Sequence, residues 1–273
     1  MAKTVLITGC SSGIGRATAA AFLEDDWRVW ATARDPDDIT DLADAGCETA
    51  RLDVTNARQV ERVVEDVLDA DGRIDCLVNN AGYAQYGALE DVPTDRLHEQ
   101  FDVNVYGPHR LTREVLPHMR EREDGTIVNV SSVSGRISTP GGGAYCGSKF
   151  ALEAMSDALR GEVGGFGVDV VLVEPGPVET EFDDRALDEI DGTDRSGAYE
   201  WLYRAYEDFG LTGGNDPVAI PPRYVATTIR DAACATDPQA RYPVGQFARL
   251  ALLARHLPDR WRDVAVRFLR RVM

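Results

Sequence analysis

Thr4-Val5-Leu6-Ile7-Thr8-Gly9-Cys10-Ser11-Ser12-Gly13-Ile14-Gly15 is the stretch that decides the fold. Its first five residues form an apolar, β-branched run suited to a strand buried on both faces. Three glycines follow at G-x-x-x-G-x-G spacing, and a helical pattern then continues to about Asp25. Glycines permit a tight turn and let a pyrophosphate approach the backbone, while a helix N-terminus offers N–H groups and partial positive charge. The spacing differs from G-x-G-x-x-G, and a glycine loop by itself is only a turn. Between a first strand and a first helix it reads as a dinucleotide loop of Gly9, Ser11, Ser12, Gly13, Ile14 and Gly15.

The alternation continues outward. Residues 28–32, 47–52, 74–79, 125–130 and 169–173 read as further strands, with 242–244 a short last one. Helical patterns cover 37–45, 57–70, 94–120 and 144–163, the third expected to bend at Pro108. In the second of these, Val60, Val63, Val64, Val67 and Leu68 form a buried stripe at helical spacing. Strands alternating with helices imply an α/β architecture: a Rossmann-type, doubly wound parallel sheet of about seven strands with helices on both faces. No repeat or linker divides the 273 residues, so a single domain over 1–273 is expected.

Composition excludes several function classes. A formal charge of −17 leaves no basic footprint for nucleic acid. The dispersed acidity, with only Lys3 and Lys149 as lysines, is similar to the surfaces of proteins from salt-loving microbes. In molar salt the Debye length falls to roughly 3 Å, so dense negative charge repels itself less. A GC-rich genome would deplete lysine equally well. No apolar run approaches the ~18 residues of a membrane helix. The N-terminal residues enter a strand rather than a signal peptide, so a cytoplasmic location is expected. Cys10, Cys47, Cys76, Cys146 and Cys234 are scattered, and His98, His109, His118 and His256 show no ligand spacing. Neither a disulfide framework nor a metal site is expected. One segment opposes the trend: 241–273 holds eight arginines against Asp259 and Asp263. There Val264, Val266, Phe268 and Leu269 interleave with Arg262, Arg267, Arg270 and Arg271. That pattern suits weak peripheral contact with anionic lipid or an acidic subunit surface, or simply a solvated terminal helix.

Lys149 is retained in a chain that otherwise uses arginine, and it follows Tyr145 by four residues. On a helix that spacing puts phenol and ammonium on one face. A free tyrosine, with a pKa of about 10, is a poor base near neutrality, and a neighbouring ammonium favours its phenolate. The pair reads as a proton-transfer device. On its own, Tyr-x-x-x-Lys is a frequent surface pattern. At the end of the second strand, Ala33-Arg34-Asp35 bears on which dinucleotide binds. Arg34 suits the 2′-phosphate of NADP, whereas Asp35, one residue on, would suit the ribose hydroxyls of NAD. NADP(H) is favoured, with NAD(H) the alternative.

With these residues assembled, the chain resembles the short-chain dehydrogenase/reductase family, in its branch with a T-G-x-x-x-G-x-G loop and a Y-x-x-x-K pair. Three further signatures occur in order: Asn79-Asn80-Ala81-Gly82, Ser132 thirteen residues before Tyr145, and Pro175-Gly176-Pro177-Val178-Glu179-Thr180. The resemblance is dense from Lys3 to Thr180. It implies a catalytic set of Asn104, Ser132, Tyr145 and Lys149, with Ser132 and Tyr145 also meeting the substrate. It further implies dinucleotide contacts from Asp53, Val54, Asn80, Ala81, Gly82, Tyr145, Lys149, Pro175, Gly176, Val178 and Thr180. Read without the family, Asn104 is a polar residue distorting a helix, Ser132 a loop serine and Asp53 a helix cap. The implied reaction interconverts an alcohol and a ketone or aldehyde, with Asn104 holding a water that relays protons from Lys149. Homodimers or homotetramers are the implied assemblies. Non-catalytic redox sensing, or epimerisation or dehydration on the same scaffold, are the competing readings.

The sequence around Tyr145 also resembles hydroxysteroid and retinol dehydrogenase-like branches. Residues 181–222 fall where the family has a substrate lid, and carry Tyr199, Trp201, Tyr203, Tyr206 and Phe209. These aromatics suit either a helix packed on the body or a wall of an apolar pocket. Pro140-Gly141-Gly142-Gly143 has little bulk and is expected to leave room for a large substrate. A bulky or apolar alcohol or ketone is the expected substrate.

Overall fold

In the computed structural model, which describes residues 2–180, 182, 195–209 and 218–272, seven parallel strands form one sheet in the order β3-β2-β1-β4-β5-β6-β7. They are β1 (Thr4–Ile7), β2 (Arg28–Ala33), β3 (Glu48–Arg51), β4 (Cys76–Asn79), β5 (Gly125–Val130), β6 (Val168–Pro175) and β7 (Arg241–Val244). The central strand explains the layering. Val5 and Ile7 pack into one apolar cluster and Leu6 into another, because successive side chains point to opposite faces. On the Val5 side lie α1 (Gly13–Leu23), α2 (Thr40–Asp44) and α8 (Pro222–Cys234), through Phe22, Leu42 and Ile229. The Leu6 side is covered by α3 (Ala57–Asp71), α5 (Gly107–Glu121) and α6 (Gly143–Val163), through Val60, Leu111 and Val163. The expected single α/β domain, doubly wound, is therefore what the chain forms. Strand order reverses between β1 and β4, which opens a crevice at their C-terminal ends.

Local chemistry sets the boundaries. Asn56 caps α3 by accepting from the N–H groups of Arg58 and Gln59, and Gly72 ends it in a left-handed conformation, φ 71°. Strand β6 runs to Pro175, beyond the expected end at Val173, because β7 pairs alongside it as far as Val244 opposite Pro175. The expected 94–120 helix is divided into α4 (Thr94–Phe101), a π turn over Asp102–Tyr106, and α5. The widening sits ahead of Pro108, not at its ring. Proline has no N–H to donate to the carbonyl four residues earlier, that of Asn104, and Gly107 N–H instead reaches back to Asp102.

The remaining helices are α7 (Glu200–Phe209), α9 (Gln246–Leu253) and α10 (Asp259–Val272). Within the expected 181–222 lid, residues 181, 183–194 and 210–217 and the side chain of Phe209 lie outside the described residues. The side chains of Arg262, Phe268, Leu269, Arg270 and Arg271 also lie outside them. Among the described residues, no helix is long and apolar enough to cross a membrane.

Candidate active site

The crevice at the strand ends is a cavity of about 1510 Å³ that runs from the glycine loop to the C-terminal helices. Its floor at one end is the turn from β1 to α1. Gly9 has φ +72°, and a Cβ there would lie 2.9 Å from the Ala81 backbone. At Gly15 a Cβ would come within 2.2 Å of the Gly9 carbonyl oxygen and 2.4 Å of Asn80 Nδ2. The second position is thus closed to any side chain, although Gly15 itself does not face the cavity. Helix α1 begins at Gly13 with no side-chain cap from Ser12, and Ser11, Ser12, Gly13 and Ile14 border the cavity. A helix start built this way presents N–H groups to an anion.

The Asn79-Asn80-Ala81-Gly82 turn is fastened to that loop. Asn80 Nδ2 donates to the Thr8 and Gly9 carbonyls at 2.9 and 3.0 Å, and Thr8 Oγ1 accepts from the N–H groups of Asn80 and Ala81. Asn80, Ala81 and Gly82 consequently line the cavity beside Asp53 and Val54. The Asp53 carboxylate accepts from the Thr55 N–H and hydroxyl at 2.9 and 2.7 Å, which fixes its orientation. At the end of β2, Arg34 lines the cavity and Asp35 does not. Asp35 instead caps the following 3₁₀ turn, accepting from Asp37 N–H at 3.1 Å.

Ser132, Tyr145 and Lys149 all line the cavity, as do Pro175, Gly176, Val178 and Thr180. Ser132 accepts from the Ser134 N–H at 3.1 Å, which leaves its own O–H to be donated. Helix α6 carries Tyr145 and Lys149 on one face, both buried. The Lys149 ammonium donates to the Val130 carbonyl at 2.9 Å and lies 5.9 Å from the Tyr145 ring centre. Burial pushes its pKa down from an ordinary 10.5 to about 8, opposed by the Glu153 carboxylate one turn along α6. Around the phenol, Tyr86 and Phe182 stand with ring centres at 5.9 and 5.7 Å.

Asn104 lies behind this wall. Its Nδ2 donates to the Tyr83 carbonyl at 3.0 Å and to Ser148 Oγ at 3.1 Å, while Oδ1 accepts from Tyr83 N–H. Ser148 in turn donates to the Tyr145 carbonyl at 2.7 Å. The π turn therefore bolts the 80–83 turn to the helix that holds the phenol and ammonium.

Around and beyond Tyr145 the cavity is apolar, lined by Tyr86, Phe182, Trp201, Leu202 and Tyr206. Within α7 the aromatics divide their roles. Tyr203 donates to Asp91 Oδ2 at 2.7 Å and packs on the body, whereas Trp201 faces the cavity. Tyr206 does both, donating to the Pro140 carbonyl at 3.1 Å. The glycines at 141–143 do not open space for substrate as expected. A Cβ on Gly141 would lie 2.6 Å from the Tyr206 ring, so its missing side chain admits that ring.

A network that sequence spacing did not reveal lies under the site. Arg136 Nη1 meets Glu174 Oε1 at 2.8 Å, and Arg241 Nε lies 3.0 Å from Glu153 Oε2 and 3.2 Å from Glu174 Oε1. Both carboxylates are buried, and burial holds the Glu153 carboxyl above its ordinary range. The network clamps the loop after Ser132 to α6 and the sheet edge. Its members are 17 to 105 residues apart, so no local motif announces it.

The family model described as short chain dehydrogenase matches residues 3–191. An uncharacterized oxidoreductase, YbbO, of Escherichia coli strain K12 is 37% identical over 96% of this chain and 93% of its own. A 3-ketodihydrosphingosine reductase of Bacteroides thetaiotaomicron is 33% identical over 97% of each chain. An NADPH-dependent 3-dehydrocapnine reductase of Ornithobacterium rhinotracheale is 32% identical over 96% of this chain and 95% of its own. Among solved structures, a short-chain dehydrogenase from Streptomyces avermitilis superposes with a TM-score of 0.83 at 36% identity, covering 98% of this chain and 96% of that one.

Proposed function

The chain belongs to the short-chain dehydrogenase family and is an oxidoreductase, and on that footing we propose that it reduces a bulky, apolar ketone or aldehyde with NADPH, or runs the reverse oxidation. The observation that supports this reading most is the convergence of Ser132, Tyr145 and Lys149 on one cavity whose other end is the glycine cradle. That cradle fits a dinucleotide: it has no room for a Cβ at Gly9, and α1 starts there without a side-chain cap. A bound nicotinamide would supply or accept the hydride.

The chain's own residues then handle the proton. In reduction, the Tyr145 phenol donates to the carbonyl oxygen, and Ser132 donates a hydrogen bond to the same oxygen as charge develops. The Lys149 ammonium stabilises the phenolate left behind. We assign Asn104 two tasks: its side chain positions α6, and its main-chain carbonyl, to which Pro108 cannot donate, holds a relay water. Arg34 beside the cavity, with Asp35 engaged as a cap, favours NADP(H) over NAD(H). The apolar arm beyond Tyr145, together with relatives named 3-ketodihydrosphingosine reductase and NADPH-dependent 3-dehydrocapnine reductase, favours a long-chain ketone substrate.

The test is reduction of a panel of long-chain, steroid, retinoid and sugar carbonyls with each reduced nicotinamide cofactor, in salt that keeps the protein folded. Turnover of long-chain ketones with a preference for NADPH is expected. Turnover confined to sugar carbonyls would refute the substrate class, and equal efficiency with NADH would remove the role of Arg34.

A further inference from the structure

The C-terminal helices carry a surface that the reaction leaves unused. On α9, Leu250 and Leu253 are 68% and 64% exposed, three residues apart on one face. Leu257 follows in the connection, and on α10 Trp261 and Val264 are 67% and 51% exposed, again three apart. Exposed arginines border them: Arg249, Arg255, Arg260 and Arg267. The whole chain carries a net charge of −17, whereas residues 241–273 hold eight arginines against two aspartates, so positive charge is concentrated where apolar side chains are left in water. Apolar residues with a tryptophan, rimmed by arginines, are the pattern of helices lying in a lipid headgroup layer.

The same helices wall the cavity. Phe247 and Ala251 of α9 and Val266 of α10 line it, and Phe247 is also 43% exposed. A second copy seated by the same face would set arginines against arginines, and any protein partner would cover this end of the cavity. An anionic bilayer opposes the charges and is itself a store of long-chain molecules.

We propose that α9 and α10 dock the enzyme on anionic lipid surfaces, with the apolar arm of the cavity facing the bilayer so that a membrane-resident substrate enters from it. The delivery role rests on the reaction proposed above, whereas the docking rests on the surface alone. Its test is therefore read without turnover. Vesicles of phosphatidylglycerol mixed with phosphatidylcholine, and of phosphatidylcholine alone, are sedimented with the full chain at the lowest salt at which it stays folded, where arginine–headgroup attraction is least screened. The protein is expected to partition at least tenfold more onto the anionic vesicles, with a blue shift of tryptophan fluorescence that Trp261→Phe removes. Leu250→Glu with Leu253→Glu is expected to weaken binding at least tenfold while reduction of a water-soluble carbonyl is unchanged. Absence of binding to anionic vesicles would overturn the proposal, as would binding insensitive to these substitutions. A dimer in light scattering that the two glutamates dissociate would overturn it too, by assigning the face to a second copy. Each of these failures leaves the reaction standing, and loss of turnover leaves the docking standing.

Discussion

Lys149→Met should make the protein more stable while disabling it. The ammonium is buried against the Val130 carbonyl, and burial lowers its pKa from 10.5 to about 8. At roughly 1.4 kcal/mol for each tenfold change, holding that charge in the fold at pH 7 costs about 3 kcal/mol. Methionine removes the charge and fills similar volume, but leaves the Val130 carbonyl without its donor, a loss of about 1–3 kcal/mol. A net gain of about 1 kcal/mol at pH 7 is expected. The sign of the pH dependence follows from the lowered pKa. Between pH 8 and 10.5 the unfolded chain binds the proton that the folded chain has released, so the wild type regains stability as pH rises. The variant cannot, and its advantage should shrink by about 2 kcal/mol from pH 7 to pH 9.5, roughly 4–8 °C in Tm for a chain of this size. Taking the difference between the two proteins cancels the buried cysteines, whose raised pKa values act in the opposite direction in both. Thermal unfolding of both proteins without cofactor at the two pH values measures it. A wild-type-minus-variant difference that does not change with pH would refute the reasoning, as would a variant several kcal/mol less stable at pH 7.

Three further outcomes are expected. Gly15→Ala, whose Cβ would meet the Gly9 carbonyl and Asn80, should lower stability by about 1–3 kcal/mol and abolish NADPH binding, read by melting temperature and fluorescence titration. Arg34→Asp should shift the ratio of kcat/KM for NADPH over NADH by about 10–100-fold toward NADH, the worth of one charged hydrogen bond, measured by steady-state kinetics. Arg241→Met removes one of the two guanidinium groups that Glu153 and Glu174 share, leaving both to Arg136, and should cost about 1–3 kcal/mol at pH 7 in urea unfolding, partly recovered toward pH 5 as the carboxylates take up protons.

The strands of this sheet were legible because burial on both faces leaves near-continuous apolar runs, as in Val5-Leu6-Ile7 and Ile127-Val128. The glycine loop was legible because its two closest backbone approaches, at Gly9 and Gly15, admit no other residue. The π turn was not: the apolar pattern of 94–120 is the same whether a carbonyl is reached from four or five residues on, and only Pro108 marked the place. Gly141 misled in the opposite direction. A glycine reports that space is needed, and only the structure shows that Tyr206, sixty-five residues on, takes it. The clamp of Arg136, Glu153, Glu174 and Arg241 escaped because its partners come from separate strands, a helix and a loop. Arg34 suited the 2′-phosphate and Asp35 the ribose hydroxyls, and the sequence did not show that Asp35 would be engaged as the cap of a 3₁₀ turn.

In the proposed reaction the Tyr145 phenol moves the proton while Lys149 and Ser132 support it. Tyr145→Phe keeps the ring contacts with Tyr86 and Phe182 and removes only the hydroxyl. Titration of this variant with NADPH, set beside its turnover of the best long-chain ketone, measures that role directly. Binding within about twofold of wild type with turnover lowered by at least about 100-fold is predicted. Turnover that survives the loss of the hydroxyl would contradict it.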